Sequence, residues 1–462
     1  MPTERPPAIL VLHGARGDLS RRFVLPALAA LAEADLLPPD WALLGTGRSD
    51  MPDEDFVEIV RDTLADHPAR EAVVRRARFT ADVTRDEPGA MPELLDDLAE
   101  ELGGAPHVVH YLAVPPSAFA RTTRALAAHG LHRGPGTVRV VYEKPYGTSP
   151  DSFAQLDAAV HEVLDEDQVF RIDHFLGKEA TQNLHVLRLA NELFATVWDR
   201  EHVEQVQIDV PETLDVADRA EFYDATGAAL DMLVTHLFQV LAEVAMEPPD
   251  VLDAQHLAAA REEVLAALRP IDPAEVVLGQ FDGYRDLDAV ADESDTDTYV
   301  AARVWVDDDR WRGVPFLLRT GKRMAADAQQ VTLVLRRGRD TLLGGEVAPG
   351  RLTVSLAGDG AIQLTTTVKR PGPVPALALG TARLDLDDVS GGDPLPPYAS
   401  LLDDVLRGDR SLFPTPVALE QAWRAFAPVL GDDRPAPIVY HPDTWGPEEA
   451  DRLAAPSGWA LP

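Results

Sequence analysis

The fold is decided by a short stretch near the amino terminus, AILVLHGARGDLSRR (residues 8–22). Its five leading apolar residues are typical of a buried strand, and Gly14 and Gly17 bracket the turn that leads into a helical pattern. Glycines at such a turn let backbone N–H groups approach a pyrophosphate at the helix amino terminus. The stretch is compatible with a dinucleotide-binding fold, and the residues that follow add to this interpretation. It is not a full G-x-G-x-x-G motif, however, and plain turns carry such glycines as well.

The residues that follow repeat this alternation of strand and helix. Three further apolar runs are expected to form buried strands: WALLG (41–45), HVVHYLAV (107–114) and VRVVYEKP (138–145). Amphipathic helical stretches lie between them, and this succession predicts a parallel sheet with helices on both faces. We expect a Rossmann-like α/β dinucleotide-binding domain over residues 1–170.

After residue 170 the regular alternation of strand and helix patterns ends. Two long helical stretches, residues 177–194 and 227–246, flank the strand-like run VEQVQIDV (203–210). Alternating segments separated by Gly, Asp and Pro turns then predict a large antiparallel sheet. These segments are YVAARVWVDDD (299–309), VPFLLRT (314–320), QVTLVLRR (330–337), RLTVSLAG (351–358), AIQLTTTVKR (361–370) and TARLDLDD (381–388). Residues 171–462 are therefore expected to form an α+β domain.

The composition of the 462-residue chain limits its partners. It has 77 acidic and 42 basic residues, a formal net charge of −35 at pH 7, and no cysteine. This charge disfavours nucleic acid and anionic membranes as partners, and an anionic small molecule would need a local positive pocket. The lack of cysteine excludes disulfides and thiolate metal sites. The start MPTERPPAIL lacks a signal-peptide pattern and no long apolar run follows, so we expect a cytoplasmic protein.

The second predicted strand ends in GTGRSD (45–50), which bears on cofactor choice. Arg48 and Ser49 stand where an NAD enzyme usually carries an acidic residue for the ribose hydroxyls. An arginine suits a 2′-phosphate, and Arg16 in the first turn offers a second guanidinium. The pattern favours NADP over NAD, with two ordinary surface arginines as the alternative interpretation.

Lysine is scarce in this chain. Only Lys144, Lys178, Lys322 and Lys369 are present, so arginine supplies the other 38 of the 42 basic residues. A compact ammonium and a planar guanidinium are not interchangeable. We therefore interpret each lysine as a marker for a place where chemistry occurs.

Six motifs occur in a characteristic order: GARGDL, EKPYG, RIDHFLGKE, DMLVTHLFQ, VPFLLRTGKR and DTWGPEEADRL. With them the chain resembles the glucose-6-phosphate dehydrogenase family over nearly its whole length. The resemblance implies oxidation of glucose 6-phosphate at C1 to 6-phosphogluconolactone, with hydride transfer to NADP, although NAD is also possible. It further implies a homodimer or homotetramer built through the large sheet of the second domain.

The resemblance also implies roles for individual residues. His236 would be the general base at the C1 hydroxyl, and Asp173 the carboxylate that orients it. The implied substrate-binding residues are His174, Lys178, Lys144, Glu212, Asp224 and Lys322. The implied cofactor-binding residues are Gly14, Arg16, Gly17, Asp18, Leu19, Arg48, Ser49 and Lys144. Lys369 matches a family motif and is interpreted as structural. From the residues alone, His236 also fits a core histidine, and a metal site at Asp173 and His174 is disfavoured because adjacent residues on an extended segment point apart.

Several positions depart from the family pattern. Phe175 stands in place of a tyrosine, and Phe23 and Asp327 in place of substrate-directed lysines. Each lost charge-assisted hydrogen bond to a phosphate is worth about 1.5–3 kcal/mol unless a neighbour such as Arg21, Arg22 or Arg323 replaces it. Three interpretations stay open: a glucose-6-phosphate dehydrogenase, a paralogue that oxidises another hexose phosphate or an unphosphorylated hexose, and a non-catalytic regulator.

Overall fold

The computed structural model describes residues 5–49, 51–84, 90–216, 219–338, 348–358, 360–373, 376–389, 391 and 394–461. It divides into two compact units. The first unit comprises Met1–Gly177, Asp253–Gln255 and Pro394–Pro416, and the second comprises Lys178–Leu252, His256–Asp393 and Val417–Pro462. The sequence placed the domain boundary after residue 170. In the structure the first unit runs on to Gly177 and takes in a late segment, Pro394–Pro416, that no sequence pattern assigned to it.

The first unit is built on a six-stranded parallel sheet in the order β3-β2-β1-β4-β5-β6. Its strands are β1 (Ala8–His13), β2 (Trp41–Gly47), β3 (Ala77–Ala81), β4 (His107–Leu112), β5 (Val138–Tyr142) and β6 (Val169–Arg171). This order is that of the doubly wound dinucleotide-binding fold, which confirms the predicted fold class. Two strands were not predicted: β3, whose run ARFTA mixes polar and apolar residues, and β6, which has only three residues.

The second unit is built on a nine-stranded sheet in the order β14-β13-β12-β11-β7-β10-β9-β8-β15. Its strands are β7 (Val203–Pro211), β8 (Val276–Phe281), β9 (Tyr299–Trp305), β10 (Pro315–Gly321), β11 (Gln330–Leu335), β12 (Arg351–Ser355), β13 (Ile362–Lys369), β14 (Leu377–Leu384) and β15 (Ile438–Tyr440). Most neighbours are antiparallel, as expected, but β7 pairs with β10 and β8 with β15 in parallel. The sheet is therefore mixed, and β8 and β15 were not predicted.

The helices complete both units. In chain order they are α1 (Leu25–Glu33), α2 (Asp53–Thr63), α3 (Arg70–Val74), α4 (Met91–Glu101), α5 (Phe119–Ala128), α6 (Pro150–His161), α7 (Glu179–Leu189), α8 (Glu192–Ala195), α9 (Ala220–Asp224), α10 (Phe238–Ala245), α11 (Ala254–Ala267), α12 (Pro397–Arg407), α13 (Pro416–Phe426) and α14 (Asp451–Ala454). Segments Ser20–Val24 and Ala229–Leu237 are π-helical. Short 3-10 turns cover Pro116–Ala118, Glu166–Gln168, Pro273–Glu275, Tyr284–Asp286, Leu386–Asp388, Ala427–Leu430 and Glu448–Ala450. Within the described part of the chain, no helix is both long and apolar enough to cross a bilayer.

The long helix predicted over residues 177–194 is interrupted in the structure. It ends at α7 and resumes as α8, because Asn191 adopts an extended conformation between them. The Asn191 side-chain amide donates to the carbonyls of Val186 and Leu187 at 3.2 and 3.3 Å. Asparagine side chains compete in this way with the helical backbone for its hydrogen bonds.

The late segment of the first unit completes that unit's core. Residues Leu401, Leu402 and Val405 of α12 are buried with the apolar side chains of β1 and α1. A side chain at Gly177 would lie 2.8 Å from the carbonyl oxygen of Pro397. The glycine of RIDHFLGKE therefore permits the close approach of α12.

Candidate functional site

The glycine turn after β1 lies where the strand order of the first sheet reverses. Gly14 has φ +77°, and a Cβ atom there would lie 2.3 Å from the carbonyl oxygen of Ala113, just after β4. Only glycine combines this conformation with this close approach. Gly17 N donates to the Gly14 carbonyl at 2.8 Å and closes the turn. In doubly wound sheets this reversal point, outside the carboxyl ends of the strands, is the crevice that takes dinucleotides.

The predicted cofactor residues of the first turn and of β2 meet at this edge. The Arg16 guanidinium donates to Ser49 Oγ at 3.0 Å, and Arg16, Arg48 and Ser49 are all exposed. Asp18 and Leu19 directly precede the π-helical segment Ser20–Val24. The Asp18 carboxylate forms an exposed ion pair with Arg22 at 3.4 Å. Two guanidiniums thus stand beside the end of β2, with no acidic side chain at positions 48 and 49.

The motif EKPYG follows β5. Glu143 is buried and accepts a hydrogen bond from the Tyr111 hydroxyl at 2.5 Å. Burial raises the pKa of Glu143 to about 7, although the Tyr111 hydrogen bond and the adjacent Lys144 act against this rise. Lys144 itself is half-buried, and its peptide bond to Pro145 is cis. No role was predicted for Glu143 or Tyr111, since neither carries a spacing signal.

Asp173 and His174 follow β6 directly. Asp173 is buried, and its Oδ1 accepts a hydrogen bond from the Phe175 N–H at 2.9 Å. This contact, with its spacing of two residues, is the local turn that aspartate side chains favour. The His174 ring is parallel to that of Tyr398, with 6.4 Å between centroids and 11° between planes. Tyr398 lies in the first turn of α12, so the late segment of the first unit contributes to the surroundings of His174.

Two positions that depart from the family pattern, 23 and 175, carry phenylalanine in this chain. Phe23, 39% exposed, stacks on Tyr398 with 5.0 Å between ring centroids, and Phe175 is buried. The guanidinium of Arg22 lies 5.7 Å from the centre of the Phe23 ring. The position of one expected lysine is therefore part of an aromatic stack, and Arg22 is engaged with neighbours in its own helix.

In the second unit, Glu212 and Lys322 form an ion pair between the residues that follow β7 and β10. The Glu212 N–H donates to the Gly321 carbonyl at 2.9 Å. Because β7 and β10 are parallel, their carboxyl ends meet at one edge of the sheet. The Lys322 ammonium also lies 5.8 Å from the centre of the Tyr223 ring. Two predicted substrate residues are thus brought together by a pairing that the sequence analysis did not foresee.

Two further lysines differ in their surroundings. Lys178, at the start of α7, donates from Nζ to the Gln329 side-chain oxygen. Lys369 is exposed and donates to the carbonyls of Arg370 and Gly372 at 3.0 and 2.6 Å, within its own turn. These local contacts are consistent with the structural interpretation of Lys369. Gln329 has no motif around it that would have singled it out.

Asp327, which replaces another expected lysine, has a clear structural partner. Its carboxylate accepts hydrogen bonds from the Thr213 N–H and the Thr213 hydroxyl, both at 2.7 Å. Thr213 follows Glu212 immediately. Asp327 therefore holds the loop that carries Glu212.

Asp224 is engaged by side chains of its own unit. Its carboxylate accepts hydrogen bonds from the hydroxyls of Ser294 and Tyr284 at 2.5 and 3.0 Å and from the Ala291 N–H at 3.3 Å. Burial acts to raise the pKa of Asp224, but these hydrogen bonds outweigh it and lower the pKa below its ordinary value. Asp224 is therefore an ionised acceptor, and a sugar hydroxyl would share its oxygens with three protein donors.

His236 lies in the π-helical segment Ala229–Leu237, which continues directly into α10. The side chain is buried in the second unit. Burial keeps bulk water from the imidazole, which fits a proton acceptor that works on a bound substrate.

The chain is similar to known proteins in both sequence and structure. Residues 11–183 match the model of the glucose-6-phosphate dehydrogenase NAD binding domain, and residues 185–460 match that of the glucose-6-phosphate dehydrogenase C-terminal domain. The chain is 36% identical over 466 residues to glucose-6-phosphate 1-dehydrogenase 1 of Mycobacterium tuberculosis, covering 98% of this chain and 96% of the relative. It is 33% identical over 483 residues to glucose-6-phosphate 1-dehydrogenase of Aggregatibacter actinomycetemcomitans, covering 98% and 97%.

Two solved structures share the architecture over the whole chain. The crystal structure of glucose-6-phosphate 1-dehydrogenase from Mycobacterium avium superposes with a TM-score of 0.87 at 34% identity and covers 99% of each chain. A glucose-6-phosphate dehydrogenase in complex with its substrate glucose 6-phosphate superposes with a TM-score of 0.90 at 28% identity and covers 100% of each chain. The protein therefore belongs to the glucose-6-phosphate dehydrogenase family of oxidoreductases.

Proposed function

We propose that this protein oxidises glucose 6-phosphate at C1 to 6-phosphogluconolactone and transfers the hydride to NADP. The observation that carries the proposal is where the scarce lysines lie. In a chain of net charge −35, Lys178 directly precedes α7 and donates to Gln329, and Lys322 pairs with Glu212 at the carboxyl edge of the second sheet. A cationic site with a carboxylate partner suits a phosphorylated sugar, whose phosphate needs positive charge and whose hydroxyls need acceptors. A solved relative is in complex with that substrate.

His236 is proposed as the general base. It accepts the proton of the C1 hydroxyl as the hydride leaves C1, so the C–H and O–H bonds break while the carbonyl of the lactone forms. Asp173 is proposed to hold the imidazole in the required tautomer and to stabilise the imidazolium that forms. NADP, when bound, supplies the hydride acceptor. His174, Lys178, Lys144, Glu212, Asp224 and Lys322 are proposed to hold the sugar phosphate.

The first unit offers a fitting place for the dinucleotide. The lack of a side chain at Gly14 lets the turn pack against the Ala113 carbonyl, and Gly17 closes the turn. The helical segment that follows this turn would present backbone N–H groups to a pyrophosphate. Arg16 and Arg48 stand at the end of β2, where the 2′-phosphate of NADP binds in this fold. We infer a preference for NADP over NAD from this pair of guanidiniums.

Replacing Arg48 with alanine tests the cofactor assignment. We expect kcat/KM with NADP to fall about 10- to 150-fold, the equivalent of one charge-assisted hydrogen bond to phosphate, while kcat/KM with NAD stays close to wild type. Initial rates with each dinucleotide at saturating sugar phosphate give the ratio. Arg75→Ala, at an exposed arginine of the same unit, is the control. An equal loss with both dinucleotides would contradict the assignment.

Substrate choice is tested by following NADPH formation with glucose 6-phosphate, free glucose and other hexose phosphates. We expect glucose 6-phosphate to have the highest kcat/KM. In Lys178→Gln we expect the ratio of kcat/KM for glucose 6-phosphate to kcat/KM for glucose to fall about 10- to 150-fold. Only the phosphorylated sugar is stabilised by the ammonium. Lys369→Gln, at the exposed lysine of the β13 turn, serves as the matched control and leaves the ratio unchanged.

A second candidate is a paralogue that oxidises another hexose phosphate or an unphosphorylated hexose. It is favoured by the aromatic stack of Phe23 on Tyr398 and by Asp327, whose carboxylate is taken up by Thr213. Equal or higher kcat/KM with another sugar would establish this candidate in place of the first. Turnover of any sugar excludes the third interpretation, a non-catalytic regulator.

We also propose a homodimer or homotetramer built through the second sheet. Strands β13 and β14 expose apolar side chains, with Val368, Leu379 and Leu384 exposed by 42%, 55% and 51%. These side chains lie on both faces of the two strands at the end of the sheet, where contact with a second chain would cover them. Sedimentation equilibrium would show the mass of two or four chains, and a single-chain mass would contradict the proposal. Cell fractionation tests the cytoplasmic location expected from the sequence.

A further inference from the structure

Asp297 is a buried carboxylate at the entry to the helical segment that carries His236. Its Oδ2 accepts a hydrogen bond from the Ala229 N–H at 2.7 Å, and its carbonyl oxygen accepts one from the Ala228 N–H at 2.8 Å. The residue is 3% exposed. Carboxylates that accept from the first N–H groups of a helix satisfy donors that have no partner within the helix. Asp297 therefore caps this segment from a distant part of the chain.

Gly227, two residues before the capped segment, leaves room for this contact. Gly227 has φ +73°, and a Cβ atom there would lie 2.7 Å from Asp297 Oδ1. Any side chain at Gly227 would both strain the backbone and displace the carboxylate. The glycine and the carboxylate thus form one arrangement.

A second partner neutralises the buried charge of Asp297. The Arg434 guanidinium donates to Asp297 Oδ1 at 2.8 Å, so each carboxylate oxygen has its own donor. Burial raises the pKa of Asp297, and the Ala229 N–H and Arg434 act against this rise. Arg434 therefore supplies the counter-charge that keeps the cap in place inside the protein.

The neighbours of Asp297 hold two other predicted site residues of the second unit. The Thr296 hydroxyl donates to the Asp224 carbonyl at 2.7 Å, in addition to the Ser294 contact with the Asp224 carboxylate. The Lys322 N–H donates to the Thr298 carbonyl at 2.9 Å. The short segment 294–298 thus bonds to Asp224, to Lys322 and to the helix of His236.

We propose that Asp297, held by Arg434, is a positioning residue for the oxidation: it fixes the start of the helix that presents His236. The inference rests on the proposed role of His236 as general base. A base must lie within hydrogen-bond reach of the proton that it takes, so a loosened helix start lowers kcat. KM for NADP is expected to stay unchanged, because the cofactor turn belongs to the first unit.

The test compares Asp297→Ala, Asp297→Asn and Asp295→Asn. Asp297→Ala removes the two side-chain contacts, with the Ala229 N–H and with Arg434, and keeps the backbone contact with Ala228. We expect kcat to fall about 10- to 100-fold. Asparagine keeps an oxygen that can accept from the Ala229 N–H, so Asp297→Asn is expected to restore most of kcat. Asp295 is the matched control, since its side chain is 84% exposed and only 3.7 Å from Arg434. Rates are measured at a temperature where circular dichroism shows every variant folded.

Two outcomes would overturn the inference: a folded Asp297→Ala enzyme with wild-type kcat, or an Asp295→Asn enzyme with the same loss. Hydrogen exchange at the Ala229 amide should quicken in Asp297→Ala, and unchanged exchange would also count against the cap. Assay of His236→Asn in parallel separates the two proposals. If that variant is inactive and Asp297→Ala is not impaired, only the positioning role fails, whereas an active His236→Asn enzyme overturns the proposed role of His236 as general base.

Discussion

Replacement of His236 with asparagine is expected to lower kcat about 10²- to 10⁴-fold, the usual contribution of a positioned general base. The imidazole is buried on its helix, so water has little access with which to take over its role. Asparagine has a similar size and can occupy the same space without accepting a proton. KM for NADP is expected to change little, since the predicted cofactor residues lie in the first unit. Steady-state kinetics at saturating sugar phosphate give both constants.

A matched control is His202→Asn, which changes an exposed histidine of the same unit that pairs with Asp199 at 2.9 Å. We expect this variant to retain wild-type kcat. A His236→Asn enzyme with more than a tenth of the wild-type kcat would contradict the assignment. His236 would then be the core histidine that the sequence alone also allowed.

Replacement of Arg319 with methionine is expected to have the largest effect on stability. Arg319 Nε donates to Asp209 Oδ1 at 2.7 Å, and both side chains are buried. The guanidinium also lies 4.2 Å from the centre of the Trp459 ring. Methionine leaves the Asp209 carboxylate buried without this counter-charge, and the loss of one partner of a buried ion pair costs about 3–5 kcal/mol of unfolding free energy. Chemical denaturation followed by tryptophan fluorescence measures the change.

The destabilisation by Arg319→Met is expected to depend on pH. Burial raises the pKa of Asp209, and Arg319 acts against that rise. Without Arg319 the folded-state pKa rises further above the unfolded value, so the folded variant binds the proton more tightly than the unfolded chain does. The free energy of unfolding of Arg319→Met therefore falls as the pH rises from the unfolded-state to the folded-state pKa of Asp209. It partly recovers when the pH is lowered again.

The control for this prediction is Arg312→Met. Arg312 forms an exposed ion pair with Asp309 at 3.2 Å, with side-chain exposures of 57% and 94%. Exposed pairs contribute about 0–1 kcal/mol, so little change is expected. An Arg319→Met loss no larger than that of the control, or one that is the same at every pH, would count against the buried-pair argument.

Local pattern was sufficient for the first sheet and for the family. The runs that became β1, β2, β4 and β5 are mostly apolar, because strands of a parallel sheet are buried on both faces. The sequence also indicated a glycine turn at position 14, because the first turn of this fold typically carries glycine. The RIDHFLGKE and EKPYG motifs placed the chain in its family, as the comparisons confirmed. The roles of individual site residues stay predictions.

The contacts between distant segments were decided only by tertiary structure. Periodicity predicts a strand but not its neighbour, so the parallel pairing of β7 with β10, which brings Glu212 to Lys322, had no local signal. For the same reason, no pattern in SDTDT (294–298) predicted that Asp297 caps a helical segment 68 residues earlier in the chain. From its local patterns the sequence indicated the strongly apolar strands, the main helical stretches and the glycine turn, because those depend on neighbouring residues, but it did not indicate β3, β6, β8 or β15. The partners of its charged side chains depend on which distant segments pack together, and only the folded chain decides that.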